Sequence, residues 1–179
     1  MSNQISYCLF RKGSVWFAMP ARVIREVMPR PNFVSIPRTH LMISGLSHIR
    51  SEFLPVLNFS SLLPDESFGK EQFLLNIEES DQNWGLLVDE VDSLAVLEHS
   101  DAPEEGRSDW ESAITGWAKQ GDRIIRILDS IRFLELATRE LSAISRSESR
   151  SSATSSTLEE HEILWKQESP GKLESAVTR

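Results

Sequence analysis

The side chains that come nearest to a hydrolytic constellation surround His48. Ser47 and Ser51 are close to it in sequence, and Asp89 or Asp92 could orient the imidazole, so a nucleophile, a base and an orienting carboxylate can be nominated. The sequence has no G-x-S-x-G elbow, no phosphate-binding G-x-x-x-x-G-K-[ST] loop and no H-E-x-x-H pair, and its four histidines are scattered. We therefore interpret His48 as a surface strand residue and predict no catalytic residue.

A second candidate for chemistry is the acidic segment "VDEVD" at 88–92, because clustered carboxylates are common ligands of hard cations. The segment ends an alternating apolar strand, where such carboxylates usually face water. We therefore predict neither a metal site nor another cofactor.

The charge balance narrows the class of partner. The 179 residues include 27 acidic and 19 basic side chains, for a formal net charge of −8. Nucleic-acid binding depends mainly on lysine and arginine neutralising phosphates, so we expect no nucleic-acid partner. The one cysteine, Cys8, cannot form an internal disulfide, and there is no signal peptide or run of about 18 apolar residues. These features predict a cytoplasmic protein without membrane insertion, in which Cys8 is a small buried hydrophobe.

The elements that must position any site are short apolar segments broken by turn residues. Several of them alternate between apolar and polar residues, which is typical of half-buried strands. The nine segments begin with "ISYCLF" (5–10) and "VWFAM" (15–19) and end with "IIRIL" (124–128). They indicate a mostly β protein built from compact barrels or sandwiches.

Residues 129–145 have a helical period instead. The apolar positions recur at i, i+3, i+7 and i+10, namely Leu134, Ala137, Leu141 and Ile144. Asp129 or Ser130 can cap the free N–H groups of the first turn. We expect a helix that packs on the β layer.

The composition changes sharply near residue 146, where a serine-rich stretch begins. That stretch has too few apolar groups to offset the entropy of ordering the chain. The sequence therefore predicts a folded domain at 4–146 and a flexible tail at 147–179.

The tail contains one possible recognition element. A capping-box pattern predicts a short helix at 157–167, in which Leu158, Leu164 and Trp165 are candidates for docking on a partner. A transient helix without a partner is the alternative.

The folded part contains an internal repeat. "ISG" at 43–45 recurs as "ITG" at 114–116, and "VLNFSSLL" at 56–63 recurs as "ILDSIRFL" at 127–134. Both recurrences are displaced by 71 residues without a gap. Two copies are too few for a solenoid, so the repeat predicts two similar β subdomains.

The repeat extends upstream at a displacement of 68, where Trp16 aligns with Trp84. It places the two halves at roughly 14–68 and 72–130. The N-terminal strand and the C-terminal helix are then exchanged or packed across the halves.

Four segments, taken in order, carry a resemblance to a known family. They are "YCLFRKGSVWFAMPARVIREV" (7–27), "ISGLSHIRSEFLPVLNF" (43–59), "WGLLVDEVDSL" (84–94) and "ITGWAKQGDRIIRILDSIRFL" (114–134). Each is weak alone, but together, with their spacing, they resemble the CheW family, the scaffold proteins of bacterial chemotaxis arrays. The resemblance covers about residues 6 to 137.

The resemblance implies two small five-stranded, SH3-like β-barrels packed side by side, which agrees with the repeat. It implies a non-enzymatic adaptor that couples chemoreceptor signalling domains to a CheA-type histidine kinase, at receptor arrays on the inner face of the membrane. Each barrel would pack against a barrel of the kinase, and a groove between the barrels would take the helical hairpin tip of the receptor. No cofactor or metal is implied.

The resemblance also singles out residues for partner binding. Arg50 matches the arginine of the family's N-L-R-G motif, and Ser51 stands in place of its glycine. Glu26 matches the glutamate of the V-x-E-[IV] motif, and period two puts Ile24 on the same strand face. We expect Arg50 at a hairpin apex, within ion-pair distance of Glu26.

The large apolar residues divide into two groups. Alternation predicts a core that contains Leu46, Phe53, Val56, Leu57, Leu87, Val88 and Ile125. Trp16, Trp84 and Trp117 could either cover the seam between the barrels or form a partner surface.

Three positions depart from the family pattern. Ser51 replaces glycine in a tight turn, Asn58 stands where the family usually has aspartate, and Arg126 interrupts a strand at a place that is commonly aliphatic. They favour a specialised or auxiliary member, serving a non-flagellar chemosensory system. A stand-alone homologue of the kinase regulatory domain is a further alternative, which needs a separate catalytic chain.

Overall fold

The computed structural model describes residues 4–36, 42–58, 63, 69–101 and 109–139. Eleven strands make up most of this part of the chain. They are β1 (Ser6–Lys12), β2 (Val15–Pro20), β3 (Ile24–Pro29), β4 (Ile43–Ile49), β5 (Glu52–Leu57), β6 (Phe73–Glu79), β7 (Gln82–Val88), β8 (Glu90–Val96), β9 (His99–Asp101), β10 (Ile114–Gln120) and β11 (Arg123–Leu128). Short 3₁₀ turns occupy Ala21–Val23 and Asp109–Ala113.

The strands form two sheets. The order in the six-stranded sheet is β8-β1-β2-β11-β10-β9, and that in the five-stranded sheet is β3-β6-β7-β5-β4. Both sheets curl back on themselves: β9 follows β8 directly in the chain, and Val34, just beyond β3, pairs with Leu46 of β4. This confirms a mostly β fold with two similar SH3-like subdomains, although β9 raises one sheet to six strands where five were expected.

Each sheet takes strands from both halves of the sequence repeat. β5 pairs in parallel with β7, and β11 pairs in parallel with β2. The first half, 14–68, thus contributes β2 to one sheet and β3 to β5 to the other, while the second half, 72–130, also supplies strands to both. The two halves are therefore interleaved by strand pairing.

The repeated hairpins β4–β5 and β10–β11 have the same irregularity. In each, the register shifts immediately before a glycine, at Gly45 and at Gly116. A Cβ atom on Gly45 would clash with the carbonyl oxygen of Val34, and one on Gly116 would lie 2.8 Å from the carbonyl oxygen of Ser100. The "ISG" and "ITG" motifs therefore contain glycine because a neighbouring strand occupies the space of a side chain.

Strand pairing shifts the upstream part of the repeat by one residue from the sequence alignment of Trp16 with Trp84. Val56 lies beside Gly85, and its counterpart Ile127 lies beside Ala18, so Ala18 corresponds to Gly85. Trp84 then corresponds to Phe17 and not to Trp16, because strand pairing defines the equivalence more strictly than a shared residue type.

Three apolar clusters fill the fold. The six-stranded sheet encloses one around Leu9 and Ile125, and the five-stranded sheet encloses another around Leu54 and Leu74. A third, here called the seam cluster, takes residues from both sheets and from the helix, including Phe133. Each sheet thus has an inner core, and the seam cluster joins the two.

The core prediction holds for five of its seven residues. The fully buried ones are Val56, Leu57, Leu87, Val88 and Ile125. Leu46 and Phe53 were predicted wrongly, because they are 38% and 76% exposed. They lie on the outer face of the hairpin β4–β5, opposite Pro55 and His48, and no described element covers that face.

The helix α1 occupies residues 130–139 of the described chain. Asp129 accepts a hydrogen bond from the Arg132 N–H at 2.9 Å, which confirms the predicted N-cap. No helix among the described residues is long and apolar enough to cross a membrane. The flexible tail predicted at 147–179, with its helix at 157–167, lies outside the described residues.

Candidate functional site

The two-residue turn Arg50–Ser51 joins β4 to β5, as predicted. Both residues have positive φ angles, 49° and 70°, which is the geometry of a type I′ hairpin turn. Glycine and asparagine adopt this conformation most easily, so Ser51 occupies it at a small cost in free energy. The turn projects the Arg50 side chain from the tip of the hairpin, where it is 69% exposed.

Arg50 forms the expected ion pair with Glu26 of β3. Its Nη2 atom lies 2.8 Å from Oε2 of Glu26, whose side chain is 20% exposed. An ion pair so close to solvent stabilises a fold by only about 0 to 1 kcal/mol. The geometry therefore orients two opposite charges at the surface more than it stabilises the hairpin.

Two asparagines that the sequence analysis missed support the carboxylates of this site. Asn76 Nδ2 donates to Glu26 Oε1 at 3.3 Å, and Asn83 Nδ2 donates to Glu52 Oε2 at 2.9 Å. Asn76 interrupts the apolar run "FLLNIEE" of β6 at a buried position, which is the signal that could have identified it.

Arg25 completes the network at the rim. Its Nη1 atom lies 3.5 Å from Glu52 and 3.3 Å from Glu78. Positive and negative side chains therefore alternate across β3, β5 and β6, and each of these charges has an opposite charge beside it.

Several of these side chains surround a small cleft that is partly open to solvent. Its base is apolar, formed by Leu54 and Ile49, which belong to or pack against the inner core of the five-stranded sheet. Its walls are polar, and they consist of Arg25, Glu26, Arg50, Glu52, Asn76 and Asn83. The cleft is thus the polar end of that core, with the Arg50–Ser51 turn at its rim.

Ile24 does not share a face with Glu26, contrary to the prediction. The register of β3 against β6 shifts between them: Ile24 pairs with Ile77 and Glu26 with Asn76. Ile24 therefore packs against the seam cluster while Glu26 lines the cleft. A β-bulge breaks the alternation of faces, and strand period alone does not reveal it.

The three tryptophans have different environments. Trp84 is 2% exposed and stacks on Phe133 at 5.8 Å between ring centroids, so it belongs to the seam and cannot form a partner surface. Trp16 and Trp117 are half-buried, with arginine guanidinium groups 4.2 and 5.1 Å from their ring centroids. A partner surface at Trp16 or Trp117, as predicted from the sequence, would therefore also include Arg123 or Arg126, which cover these rings.

The hydrolytic constellation is not assembled. His48 is exposed beside the Phe53 ring at 5.1 Å, and Ser47 donates to the carbonyl oxygen of Asn32 at 2.9 Å. Asp89 is buried and accepts hydrogen bonds from the Gly13 N–H and the Lys12 ammonium. The described residues contain no group of three histidine, cysteine, aspartate or glutamate side chains that could hold a metal ion.

Cys8 is buried in β1, as predicted. Burial raises the pKa of its thiol, which keeps the sulfur protonated and unreactive near neutral pH.

The fold and the site together define a β protein of two SH3-like subdomains, with an ion pair at the tip of one hairpin. This is the CheW class of architecture, and the chain belongs to that family: the model of the CheW-like domain matches residues 6–137. The chain also resembles the crystal structure of the scaffolding protein TtCheW from Thermoanaerobacter tengcongensis, with a TM-score of 0.65 and 21% sequence identity. That match covers 73% of this chain and 87% of TtCheW. A comparison with curated protein sequences finds no match.

Proposed function

We propose that the chain is a non-enzymatic adaptor that couples chemoreceptor signalling domains to a CheA-type histidine kinase. The observation that carries the proposal is the Glu26–Arg50 ion pair, which stands where the family has its matching pair and lies at an exposed tip. Membership of a family that includes scaffolding proteins supports the role. The protein would act in the cytoplasm, at receptor arrays on the inner face of the membrane.

The energetics of the pair favour a role in recognition. A surface ion pair adds little to stability, whereas charges at the rim of an interface set the orientation and rate of association. Arg50 can exchange its bond to Glu26 for a carboxylate of a partner, because most of its side chain is already in solvent.

A second surface suits the kinase. The outer face of the hairpin β4–β5 exposes Phe53 and Leu46, with Val34 beside Leu46 and His48 against the Phe53 ring. Exposed apolar groups that lie together mark interaction sites. We assign this face to barrel-on-barrel contact with the kinase. We assign the receptor to the cleft with Arg50, which lies within the five-stranded sheet, in place of the groove expected between the barrels.

Binding of the Arg50→Glu variant tests the proposal. The charge reversal places two carboxylates at the tip, and we expect it to reduce co-purification of the receptor from the native organism by at least tenfold. Arg22→Glu is the matched control, because Arg22 is similarly exposed and also pairs with a glutamate, Glu79, at 3.3 Å. If Arg50→Glu retains the receptor at the level of the control, the proposed role of this pair is wrong.

A specialised role in an auxiliary or non-flagellar system is the second candidate, and one observation favours it. Arg126, at the place that is commonly aliphatic, lies 5.1 Å from the Trp117 ring and 5.9 Å from the Trp110 ring. A cationic, aromatic surface on the second hairpin would select a different kinase surface from an aliphatic one. Identification of the co-purified kinase distinguishes the two candidates.

A further inference from the structure

Two buried side-chain oxygens in the described part of the chain have no hydrogen-bond donor, and both belong to residues of the cleft. They are Oδ1 of Asn76 and Oδ1 of Asn83. Asn76 is only 3% exposed. A buried amide oxygen without a donor reduces stability, so two of them in one place call for an explanation.

The orientation of both amides is determined by their neighbours. Each Nδ2 group donates to a carboxylate, Asn76 to Glu26 and Asn83 to Glu52. Rotating either amide would place its oxygen against that carboxylate, which is unfavourable. The two oxygens therefore remain the available groups, both acceptors.

The equivalent place in the six-stranded sheet shows that the fold does not need these amides. Leu9 lies opposite Ala18 as Asn76 lies opposite Gly85, so Leu9 is the counterpart of Asn76. Trp16, two residues before Ala18, is likewise the counterpart of Asn83. Leu9 is fully buried, and Trp16 packs against the same inner cluster, so that end is filled by apolar groups.

We propose that the cleft is a receptacle for one hydrogen-bond-donating side chain of the receptor, an amide or an ammonium group, which pairs with the oxygens of Asn76 and Asn83. This inference rests on the proposed function. Arg50 lies at the rim and is largely exposed, so its rotation toward a partner carboxylate opens the cleft as the donor enters. Once Arg50 turns to the partner, Glu26 is left without its cation, and its negative potential favours a donor over an acceptor.

Affinity for the receptor tests the receptacle, with the cytoplasmic hairpin fragment of the co-purifying chemoreceptor as the probe. The variants Asn76→Leu and Asn83→Leu introduce apolar side chains, as at the counterpart end, and we expect each to weaken binding about tenfold. Gln82→Leu is the matched control, because it changes an exposed amide next to Asn83 and should bind like the native chain.

Thermal unfolding separates recognition from packing. Because Asn76→Leu removes a buried oxygen without a donor, we expect its midpoint to equal or exceed that of the native chain. Weaker binding together with a lower midpoint in both variants would indicate a packing role and overturn the receptacle.

A double-mutant cycle identifies the donor. Alanine substitution of the receptor's asparagine, glutamine and lysine residues should reveal one whose loss weakens binding to the native chain but not to Asn76→Leu. If every substitution acts equally on both chains, the receptacle is wrong. If Asn76→Leu and Asn83→Leu bind normally while Arg50→Glu does not, the receptacle fails and the adaptor role stands; if all three bind normally, both fail.

Discussion

The hairpins β4–β5 and β10–β11 share a backbone but differ at their tips. Arg50 and Ser51 form the turn of the first, and Gly121, with φ of 60°, begins the turn of the second with nothing near its Cβ position. The first tip thus has a long cation held by a carboxylate, while the corresponding position of the second has no side chain. The backbones of the two turns differ as well, because Ser51 has a positive φ and its counterpart Asp122 does not. A two-residue turn at this place therefore does not require an arginine.

The rims of the two sheets also differ, because the positive and negative partners of an ion pair are exchanged between them. Arg25 of β3 pairs with Glu52 at the start of β5, and Asp92 of β8 pairs with Arg123 at the start of β11, at 3.5 and 2.9 Å. Arg123 also covers Trp16, which closes the apolar end of the six-stranded sheet. One scaffold therefore has a polar, open end in one sheet and an apolar, covered end in the other.

The positions that the two sheets share are those where the fold constrains the residue type. The glycines of the register shift are kept in both hairpins because a neighbouring carbonyl excludes a side chain there. The tips and outer faces have no such neighbour, and they have diverged. The molecule thus divides into a shared framework and a divergent surface.

The largest effect is expected in the framework that both sheets share. Lys12, at the end of β1, is 1% exposed. It pairs at 3.3 Å with Asp89, which lies between β7 and β8, and at 2.9 Å with Glu71, which precedes β6. Lys12→Met leaves Asp89 buried without its cation, which should lower the free energy of unfolding by about 3 to 5 kcal/mol. Urea denaturation measures the loss, and the exposed Lys119→Met is the control. A loss below about 1 kcal/mol would contradict this account of the junction.

The next effect compares the two glycines of the register shift. Gly45→Ala and Gly116→Ala each force a methyl group against a backbone carbonyl, and each should cost about 1 to 3 kcal/mol. Gly121→Ala meets no neighbour but keeps a positive φ, so it should cost about 1 kcal/mol. Gly116 has no positive φ, so a loss there smaller than the loss at Gly121 in thermal denaturation would show that close approach does not explain this glycine.

A smaller effect, on affinity for the kinase, should distinguish the outer faces of the hairpins β4–β5 and β10–β11. Phe53→Ala removes the most exposed aromatic ring of the first hairpin and should weaken kinase binding about tenfold or more. Ile124→Ala, at the counterpart position on the second hairpin, should weaken it less, because Lys119 lies opposite it and Arg126 is on the same face. Isothermal titration with the kinase regulatory domain gives both affinities, and the reverse order would assign the apolar contact to the second hairpin.

The smallest effect concerns the turn itself. Ser51→Gly relieves a positive φ and should raise the free energy of unfolding by about 0.5 to 1 kcal/mol. Receptor binding should not change if Arg50 already points in its functional direction. A changed affinity in the glycine variant would show that Ser51 redirects Arg50.

Much of the site could be predicted because its signals are local. A two-residue gap between alternating segments predicts a hairpin turn, and Arg50 was placed at its apex correctly. Glu26 was placed beside it through the resemblance to a family pattern. Asn76 and Asn83 were missed because each is an ordinary polar residue until β3, β6 and β7 pair, and Ile24 was misplaced because the bulge before Glu26 leaves no mark in the period.

The strands, the repeated hairpins and the glycines on which they depend can be read from the sequence, since they follow from alternation and from residue-specific backbone preferences. Which face of each strand is covered depends on the tertiary structure. Alternation separates two faces, but burial depends on which distant segment packs there, and this is why Phe53 is exposed while Leu57 of the same strand is buried. The tertiary structure also interleaved the two halves, and so placed Asn76 of the second half beside Glu26 of the first.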